Sequence, residues 1–222
     1  MRSWLIALPA NSLETCDNVG MTGPNYSVEF FDRQFQRQAS TDILALNPFE
    51  QAALPHLHGR VLDFGCGMGN LAVAAAERGC SVVALDASPA AIRHLRQRAE
   101  LESLNICAIE ADLRHYPIVE DFDAIVSIGL LMFFDCPTAM RRLADLRERI
   151  RAGGMLIVNV LIDGTTYLDM FDADEYCLFA RSALEQQFSD WIILSSEFNE
   201  FAAPDEKIKS FTTLIVQKPP VA

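Results

Sequence analysis

Short, continuously apolar runs recur along this chain, and helical segments lie between them. Five runs are predicted as strands, at residues 60–64, 81–86, 105–109, 123–128 and 155–161. They do not alternate apolar and polar residues, so they have the pattern of strands that are covered on both faces. Helical stretches of crossover length separate them, one of which begins with a cap at Ser88 followed by Pro89. This alternation predicts a doubly wound α/β sheet of mainly parallel strands.

The end of the chain has a different pattern. Residues 191–201 and 210–217 are two further strand candidates, and no helical segment lies between them. Two strands joined without a crossover form a hairpin, so the sheet is expected to finish with an antiparallel strand. We interpret residues 1–24 as a flexible N-terminal lead and residues 25–222 as a single domain.

Charge and composition exclude several classes of function. The chain has 18 Lys and Arg against 30 Asp and Glu, a formal charge of −12, which disfavours nucleic acid and anionic membranes as partners. The longest nearly apolar run, 124–134, is too short to cross a bilayer. The cysteines show no C-x-x-C pair and no nearby histidine, so we predict no metal site and a reducing, cytoplasmic location. They are Cys16, Cys66, Cys80, Cys107, Cys136 and Cys177.

A glycine-rich loop follows the first predicted strand. Gly65, Gly67 and Gly69 stand at alternate positions between Asp63 and Asn70. Glycines in such a turn permit sharp backbone angles and allow a ligand to approach without a Cβ in the way. Ligands of open α/β sheets bind at this place, beyond the carboxyl ends of the strands. The alternative is a tight turn that binds nothing, which is less consistent with a position between the first strand and the first helix.

Two cofactors compete for this loop, a dinucleotide and S-adenosylmethionine. The dinucleotide fingerprint requires a small residue where this chain has Asn70. The carboxylate of Asp63 would also repel a pyrophosphate at short range. S-adenosylmethionine has no phosphate, and its ammonium and sulfonium groups are cations, so an acidic strand end favours it.

The next two strands also end in acids. Asp86 closes the second strand, at a position that accepts hydrogen bonds from ribose hydroxyls. Asp112 follows the third strand, where its carboxylate could accept from an adenine amino group while Leu113 lies against the ring. A surface turn is the plainer interpretation of Asp112 alone, but three acids at three successive strand ends favour a binding site.

Together these motifs resemble the class I S-adenosylmethionine-dependent methyltransferases. The resemblance spans residues 25–218 and rests on the glycine loop with its preceding strand, the acids after strands two and three, and residues 151–156 before the fifth strand. It implies a Rossmann-like, seven-stranded sheet with an antiparallel last strand. It also implies a set of cofactor-binding residues: Tyr26, Asp63, Gly65, Cys66, Gly67, Gly69, Asn70, Asp86, Ala87, Ala111, Asp112, Leu113 and Ser127.

A looser resemblance connects the chain to the TehB-type tellurite-resistance methyltransferases. It rests on residues 130–134, on Tyr26 before a helical segment, and on Phe188, Trp191 and Phe211 near the end. That family carries His and Arg in the terminal hairpin, where this chain has Lys207 and Lys209. We therefore expect a small thiol-bearing or neutral acceptor, with tellurite and selenite as poor substrates.

Several residues have plainer interpretations than a catalytic one. Arg33 and Arg37, one helical turn apart, are expected to face solvent rather than bind an anion. Cys66 is expected to pack under the glycine loop, and residues 132–134 to form a wall of the site or part of the core. No catalytic base is assigned. The alternatives to a methyltransferase are a nucleotide-dependent oxidoreductase and a module that binds S-adenosylmethionine without catalysis.

Overall fold

A computed structural model describes residues 26–39, 45–172 and 175–221. The predicted lead at 1–24 lies outside the described residues. The helices are α1 (Tyr26–Ala39), α2 (Pro48–Ala53), α3 (Asn70–Glu77), α4 (Pro89–Leu101), α5 (Cys136–Glu148) and α6 (Ala183–Gln187). The strands are β1 (Arg60–Phe64), β2 (Ser81–Asp86), β3 (Ile106–Glu110), β4 (Phe122–Ile128), β5 (Ile150–Leu161), β6 (Ile192–Ala202) and β7 (Ile208–Gln217).

The strands form one sheet in the order β3-β2-β1-β4-β5-β7-β6. Strands β1 to β5 are parallel to one another, and β7 runs antiparallel to both β5 and β6. The chain extends the sheet in one direction from β1 to β3 and then in the other from β4 onward. This order confirms the predicted doubly wound sheet and its antiparallel last strand, and it is the architecture of the class I methyltransferase fold.

The core occupies both faces of the sheet, as continuously apolar strands require. Successive residues of β1 point to opposite faces, so Leu62 packs in one apolar cluster and Val61 in the other. The apolar stripe of α4 is buried against the sheet, with Ile92 and Leu95 fully covered. The helix begins where expected, because the Ser88 hydroxyl accepts from the Ala91 amide.

The fifth strand begins earlier than its sequence suggests. The predicted strand starts at residue 155, after Gly153 and Gly154, but α5 ends at Glu148 and β5 already begins at Ile150. The pairing of β5 with β4 changes register between Phe122 and Ala124. Gly153 has a φ of +77°, an angle at which glycine is strongly favoured, so the two glycines lie inside an irregular strand.

Candidate active site

A cavity of about 780 Å³ lies at the carboxyl ends of the parallel strands. It sits where the chain reverses direction in the sheet, between β1 and β4, which is the usual ligand position in open α/β sheets. Helix α1 contributes residues to its wall. Of the predicted cofactor-binding residues, the cavity is lined by Asp63, Gly65, Cys66, Gly67, Asn70, Asp86, Ala87, Asp112 and Leu113.

The glycine loop lies against the end of β2. The amides of Gly65 and Cys66 both donate to the Leu85 carbonyl, and the Gly67 amide donates to Asp86 Oδ2 at 2.8 Å. Gly67 has a φ of +52°, and a Cβ there would lie 3.3 Å from the Phe35 ring. Any side chain at this position would enter the space between the loop and α1.

Asp63 is the most deeply buried acid of the cavity. Its side chain is 5% exposed, and Oδ2 has no hydrogen-bond partner among the described residues. Burial, with repulsion from Glu50 and Asp86, raises the pKa of Asp63 well above its usual value. A buried carboxyl oxygen without a partner is suited to a cationic ligand, which would supply the missing hydrogen bond and charge.

Asp86 has a second role that the sequence did not indicate. Oδ1 accepts from the Ser88 amide at 2.8 Å, while Oδ2 holds Gly67. Burial raises the pKa of Asp86, and these hydrogen bonds partly oppose that effect. Each carboxylate oxygen has a further lone pair, so Asp86 can still accept from ribose hydroxyls while it fixes the glycine loop.

Asp112 is engaged by its neighbour Arg114. The guanidinium donates to Oδ1 and to Oδ2 at 2.9 Å each, and the Arg114 amide donates to Oδ1 at 3.1 Å. Burial alone would raise the pKa of Asp112, but the contacts with Arg114 lower it to about 2. Any hydrogen bond from an adenine to Asp112 would therefore be made beside an existing bidentate ion pair.

Helix α1 is attached to the acidic end of the cavity. Asp32 Oδ1 accepts from the Ser88 hydroxyl at 2.5 Å and from the Ala90 amide at 3.0 Å, at the start of α4. Burial raises the pKa of Asp32, but these hydrogen bonds outweigh it and lower the pKa overall. They hold Phe31 and Phe35, which line the cavity, beside the glycine loop.

Arg33 is exposed and donates to the Glu29 carbonyl, as expected for a solvent-facing residue. The Arg37 side chain lies outside the described part of the chain.

Four predicted cofactor-binding residues do not line the cavity. Gly69 lies against Leu95, since a Cβ at Gly69 would be 2.5 Å from the Leu95 side chain. Ala111 and Ser127 are fully buried. Tyr26 is 44% exposed at the start of α1, with its ring 6.5 Å from that of Phe30. Contact of these four residues with a cofactor therefore stays a prediction.

The end of the cavity away from the acids is walled by aromatic and thioether side chains. Phe133 meets Phe31 edge to face at 5.1 Å and Phe171 at 4.9 Å between ring centroids. Met132 and Phe134 line the same wall, so the predicted role of residues 132–134 agrees with their position. Asp135, just beyond, caps α5 by accepting from the Thr138 amide.

Other lining residues were not among the predicted cofactor-binding residues. Glu50 comes from α2, where it completes a capping box with Asn47. This capping pattern is the only sequence feature that could have drawn attention to Glu50. Asn159 interrupts the apolar run 155–161 of β5, which marks it as unusual for the buried part of a strand. Tyr167, Lys209 and Phe211 are brought to the cavity only by the loop after β5 and by the start of β7.

Cys66 packs under the loop as predicted. It is buried, its Sγ lies 3.6 Å from the Gly67 carbonyl oxygen, and burial raises the pKa of its thiol well above the usual value. A thiol in that state is a poor nucleophile.

Two other cysteines differ from the expectation of reduced thiols. Cys136, at the start of α5, forms a disulfide with Cys177, which follows the loop after β5. The scattered spacing gave no sign of this pair, because 41 residues separate its members and the fold alone brings them together. The Cys177 amide also donates to the Met132 carbonyl, so the bridge fastens this segment beside the aromatic wall.

Replacing Cys136 with serine is expected to lower the free energy of unfolding by about 2 kcal/mol, because the open chain gains conformational freedom when unfolded. Denaturant unfolding without reductant measures this, and Cys80→Ser, which removes a free buried thiol, is the matched control. Peptide mapping of alkylated, unreduced protein should recover a cross-linked fragment holding Cys136 and Cys177. Free alkylated Cys136 in the folded protein would contradict the pairing.

Two kinds of feature are absent from the described residues. Across residues 26–39, 45–172 and 175–221, no group of three or more His, Cys, Asp or Glu residues is arranged to hold a metal ion. Among the helices of the same ranges, none is long and apolar enough to cross a membrane.

Comparison with known proteins agrees with the site. Residues 61–154 match a methyltransferase domain family. The probable S-adenosyl-L-methionine-dependent methyltransferase TehB of Haemophilus influenzae is 28% identical over 142 residues, which are 64% of this chain and 48% of that protein. The chain spans about half the length of the curated relatives it matches.

Two solved structures share the fold. The crystal structure of TehB from Haemophilus influenzae superposes with a TM-score of 0.70 at 23% identity, covering 85% of this chain and 67% of that one. The N-methyltransferase NodS from Bradyrhizobium japonicum, in complex with S-adenosyl-L-homocysteine, gives 0.64 at 20% identity, with 85% and 98% covered. The glycine loop, strand-end acids, sheet order and matched domain are those of a class I S-adenosylmethionine-dependent methyltransferase, and the chain is similar to TehB.

Proposed function

We propose that this chain transfers a methyl group from S-adenosylmethionine to a small-molecule acceptor bound in the same cavity. The observation that carries the proposal is the acidic end of that cavity, where Asp63 and Asp86 flank a loop whose three glycines all have positive φ. Carboxylates at this place suit a cofactor whose charged groups include an ammonium and a sulfonium, and they oppose a pyrophosphate. A nucleotide-dependent oxidoreductase is disfavoured for the same reason.

The residues present fit the proposed cofactor. The unpartnered Oδ2 of Asp63 would accept a hydrogen bond from the cofactor's ammonium group. Asp86 would accept hydrogen bonds from the ribose hydroxyls, and Leu113 would contact the adenine ring. Gly67 leaves the space that a Cβ would fill beside Phe35. When bound, S-adenosylmethionine supplies an electrophilic methyl group.

The chain itself has to position the acceptor and exclude water. Phe31, Phe133 and Met132 provide apolar walls for both tasks. Asp135 is committed to the α5 cap, so we assign it no part in proton transfer. A thiolate or another soft nucleophile needs no general base, which agrees with a site built from apolar walls.

Cofactor affinity is expected to increase with pH. The folded-state pKa of Asp63 is raised above its unfolded value, so the unliganded protein binds the extra proton, and its stability falls as pH rises through that pKa. The ligand's ammonium group favours the ionised carboxylate of Asp63, so binding releases this proton and tightens with rising pH over the same window. Calorimetry with S-adenosylhomocysteine at several pH values measures the slope.

The matched variant for this test is Asp63→Asn, which keeps the shape of the side chain and removes its titration. It should bind the ligand with a flatter pH dependence, the remainder coming from Glu50 and Asp86, whose pKa values burial also raises. An unchanged slope in Asp63→Asn would assign the proton to another group.

Turnover tests the proposed activity. The assay supplies S-adenosylmethionine with radiolabelled methyl groups and a panel of thiols, phenols, amines, selenite and tellurite. Labelled product with an organic acceptor supports the proposal, and we expect the inorganic oxyanions to react poorly. Cofactor binding without product from any panel member would instead support a non-catalytic binding module.

The charge and the cysteines of the chain bear on its partners and its location. The formal charge of −12 favours a small molecule over nucleic acid or an anionic membrane. We retain the cytoplasm as the proposed location, although a disulfide such as Cys136 to Cys177 is uncommon in a reducing compartment unless it is transient.

A further inference from the structure

We infer that the acceptor has an apolar body with one anionic group, and that Lys209 binds this group. The inference rests on the proposed function, because it assigns the cavity end away from Asp63 and Asp86 to the acceptor. Lys209 lies near the start of β7 and is half-buried at that end.

The charged side chains that line the cavity come from different elements of the fold. Its carboxylates, Glu50, Asp63, Asp86 and Asp112, come from α2 and from the ends of β1, β2 and β3. Among the described residues, its basic side chains with permanent charge are Arg114 and Lys209. Arg114 is already bound to Asp112 through both carboxylate oxygens, so of these two described cations Lys209 is the one left to bind a ligand.

Lys209 has no carboxylate partner among the described residues. Its ammonium lies 4.5 Å from the centre of the Tyr167 ring. The neighbouring Lys207 differs, because it is paired with Asp169 at 2.8 Å. A half-buried ammonium that contacts a ring but no anion is favourably placed to bind an anion that enters the cavity.

The surface between Lys209 and the centre of the cavity is apolar. Lys209, Phe211 and Thr213 alternate along β7 and therefore share one face, with about 13 Å between the first and last Cα. Phe211 lines the cavity and packs against Phe49 at 5.0 Å between centroids. An acceptor that reaches Lys209 along this face must therefore bury an apolar body.

A polar group marks the other end of this face. Asn159, which lines the cavity and is 1% exposed, donates through Nδ2 to Thr213 Oγ1 at 2.8 Å. Its Oδ1 has no hydrogen-bond partner in the described part of the chain. We assign this oxygen to a donor group of the acceptor, since an unpaired buried carbonyl is costly. The acceptor thus carries a polar hydrogen near Asn159 and an anion at Lys209.

Other acceptor classes fit this face less well. The Tyr167 ring has two ammonium groups near it, at 4.5 Å for Lys209 and 5.8 Å for Lys207, so it is not free to bind a cationic acceptor. A multiply charged inorganic oxyanion would have one cation and otherwise apolar walls. A monocarboxylate on an aromatic or aliphatic body matches both the charge and the walls.

Paired probes test this inference. Binding of 4-mercaptobenzoate and of its methyl ester, which lacks the charge, is measured by calorimetry with the protein alone and saturated with S-adenosylhomocysteine. We expect the acid to bind about 10- to 30-fold more tightly than the ester. Lys209→Met should abolish this preference, Lys209→Arg should largely restore it, and Lys207→Met, the matched control, should leave it unchanged.

Kinetics provide a second readout if turnover is found. Lys209 is expected to bind the carboxylate of substrate and transition state equally. Its replacement by Met should therefore raise KM for the acid and leave kcat unchanged. Equal binding of acid and ester, or a preference that persists in Lys209→Met, would overturn the inference. Failure of the protein to bind S-adenosylhomocysteine would count against the proposed function instead, and the acid-to-ester ratio of the unliganded protein would still decide the role of Lys209.

Discussion

Asp86→Ala is expected to weaken S-adenosylhomocysteine binding by about 3 kcal/mol, a little over 100-fold. The variant loses the proposed ribose contacts, and it also loses the carboxylate that holds the amides of Gly67 and Ser88 at 2.8 Å. The glycine loop then has to be ordered by the ligand itself. Because of this second loss, we expect an effect at the top of the range for one charged hydrogen-bonding residue.

Calorimetry of Asp86→Ala is compared with two other variants. Asp86→Asn keeps the shape and one acceptor oxygen and should give an intermediate loss. Asp190→Ala removes an exposed carboxylate that pairs with Arg147 away from the cavity, and it should bind normally. Equal affinity of Asp86→Ala and the unmodified protein would remove Asp86 from the site.

Gly67→Val is expected to abolish cofactor binding in a protein that still folds. Valine disfavours a φ of +52°, and its Cβ would begin 3.3 Å from the Phe35 ring, in the space between the loop and α1. Gly65 and Gly69 are less suitable for this test. A Cβ at Gly65 or Gly69 would lie under 3.0 Å from Leu130 or Leu95, so substitution there would disturb packing as well.

Gly79→Val separates the cavity effect from backbone strain. Gly79 also has a positive φ, +90°, but a Cβ there meets nothing within 4 Å. Its valine variant should lose stability and keep cofactor affinity, whereas Gly67→Val should lose affinity. Thermal unfolding and calorimetry on both variants measure the two quantities. Normal binding by Gly67→Val would mean that the loop does not approach the ligand.

The sequence predicted the parts of the molecule that depend on local pattern. Continuously apolar runs located the strands, and the parallel topology then determined that Asp63, Asp86 and Asp112 share one edge of the sheet. The glycine loop and the Ser88 cap were equally local signals. The irregular start of β5 was missed because its glycines resembled a helix stop, and only the pairing with β4 shows their position inside a strand.

The acceptor end of the site depends on contacts that no short pattern contains. Lys209 and Tyr167 are 42 residues apart by number and meet only because the loop after β5 packs against the start of β7. The bridge between Cys136 and Cys177 is likewise a product of the fold. The second role of Asp86, as the acceptor for the Gly67 amide, required the loop conformation itself.

The central claim is that this cavity binds S-adenosylmethionine. The most direct test is equilibrium calorimetry of the purified chain with S-adenosylmethionine and, separately, with NAD. We predict one site per chain with a dissociation constant in the micromolar range, on the order of −8 kcal/mol, and no measurable NAD binding. Saturable NAD binding with none of S-adenosylmethionine would contradict the account.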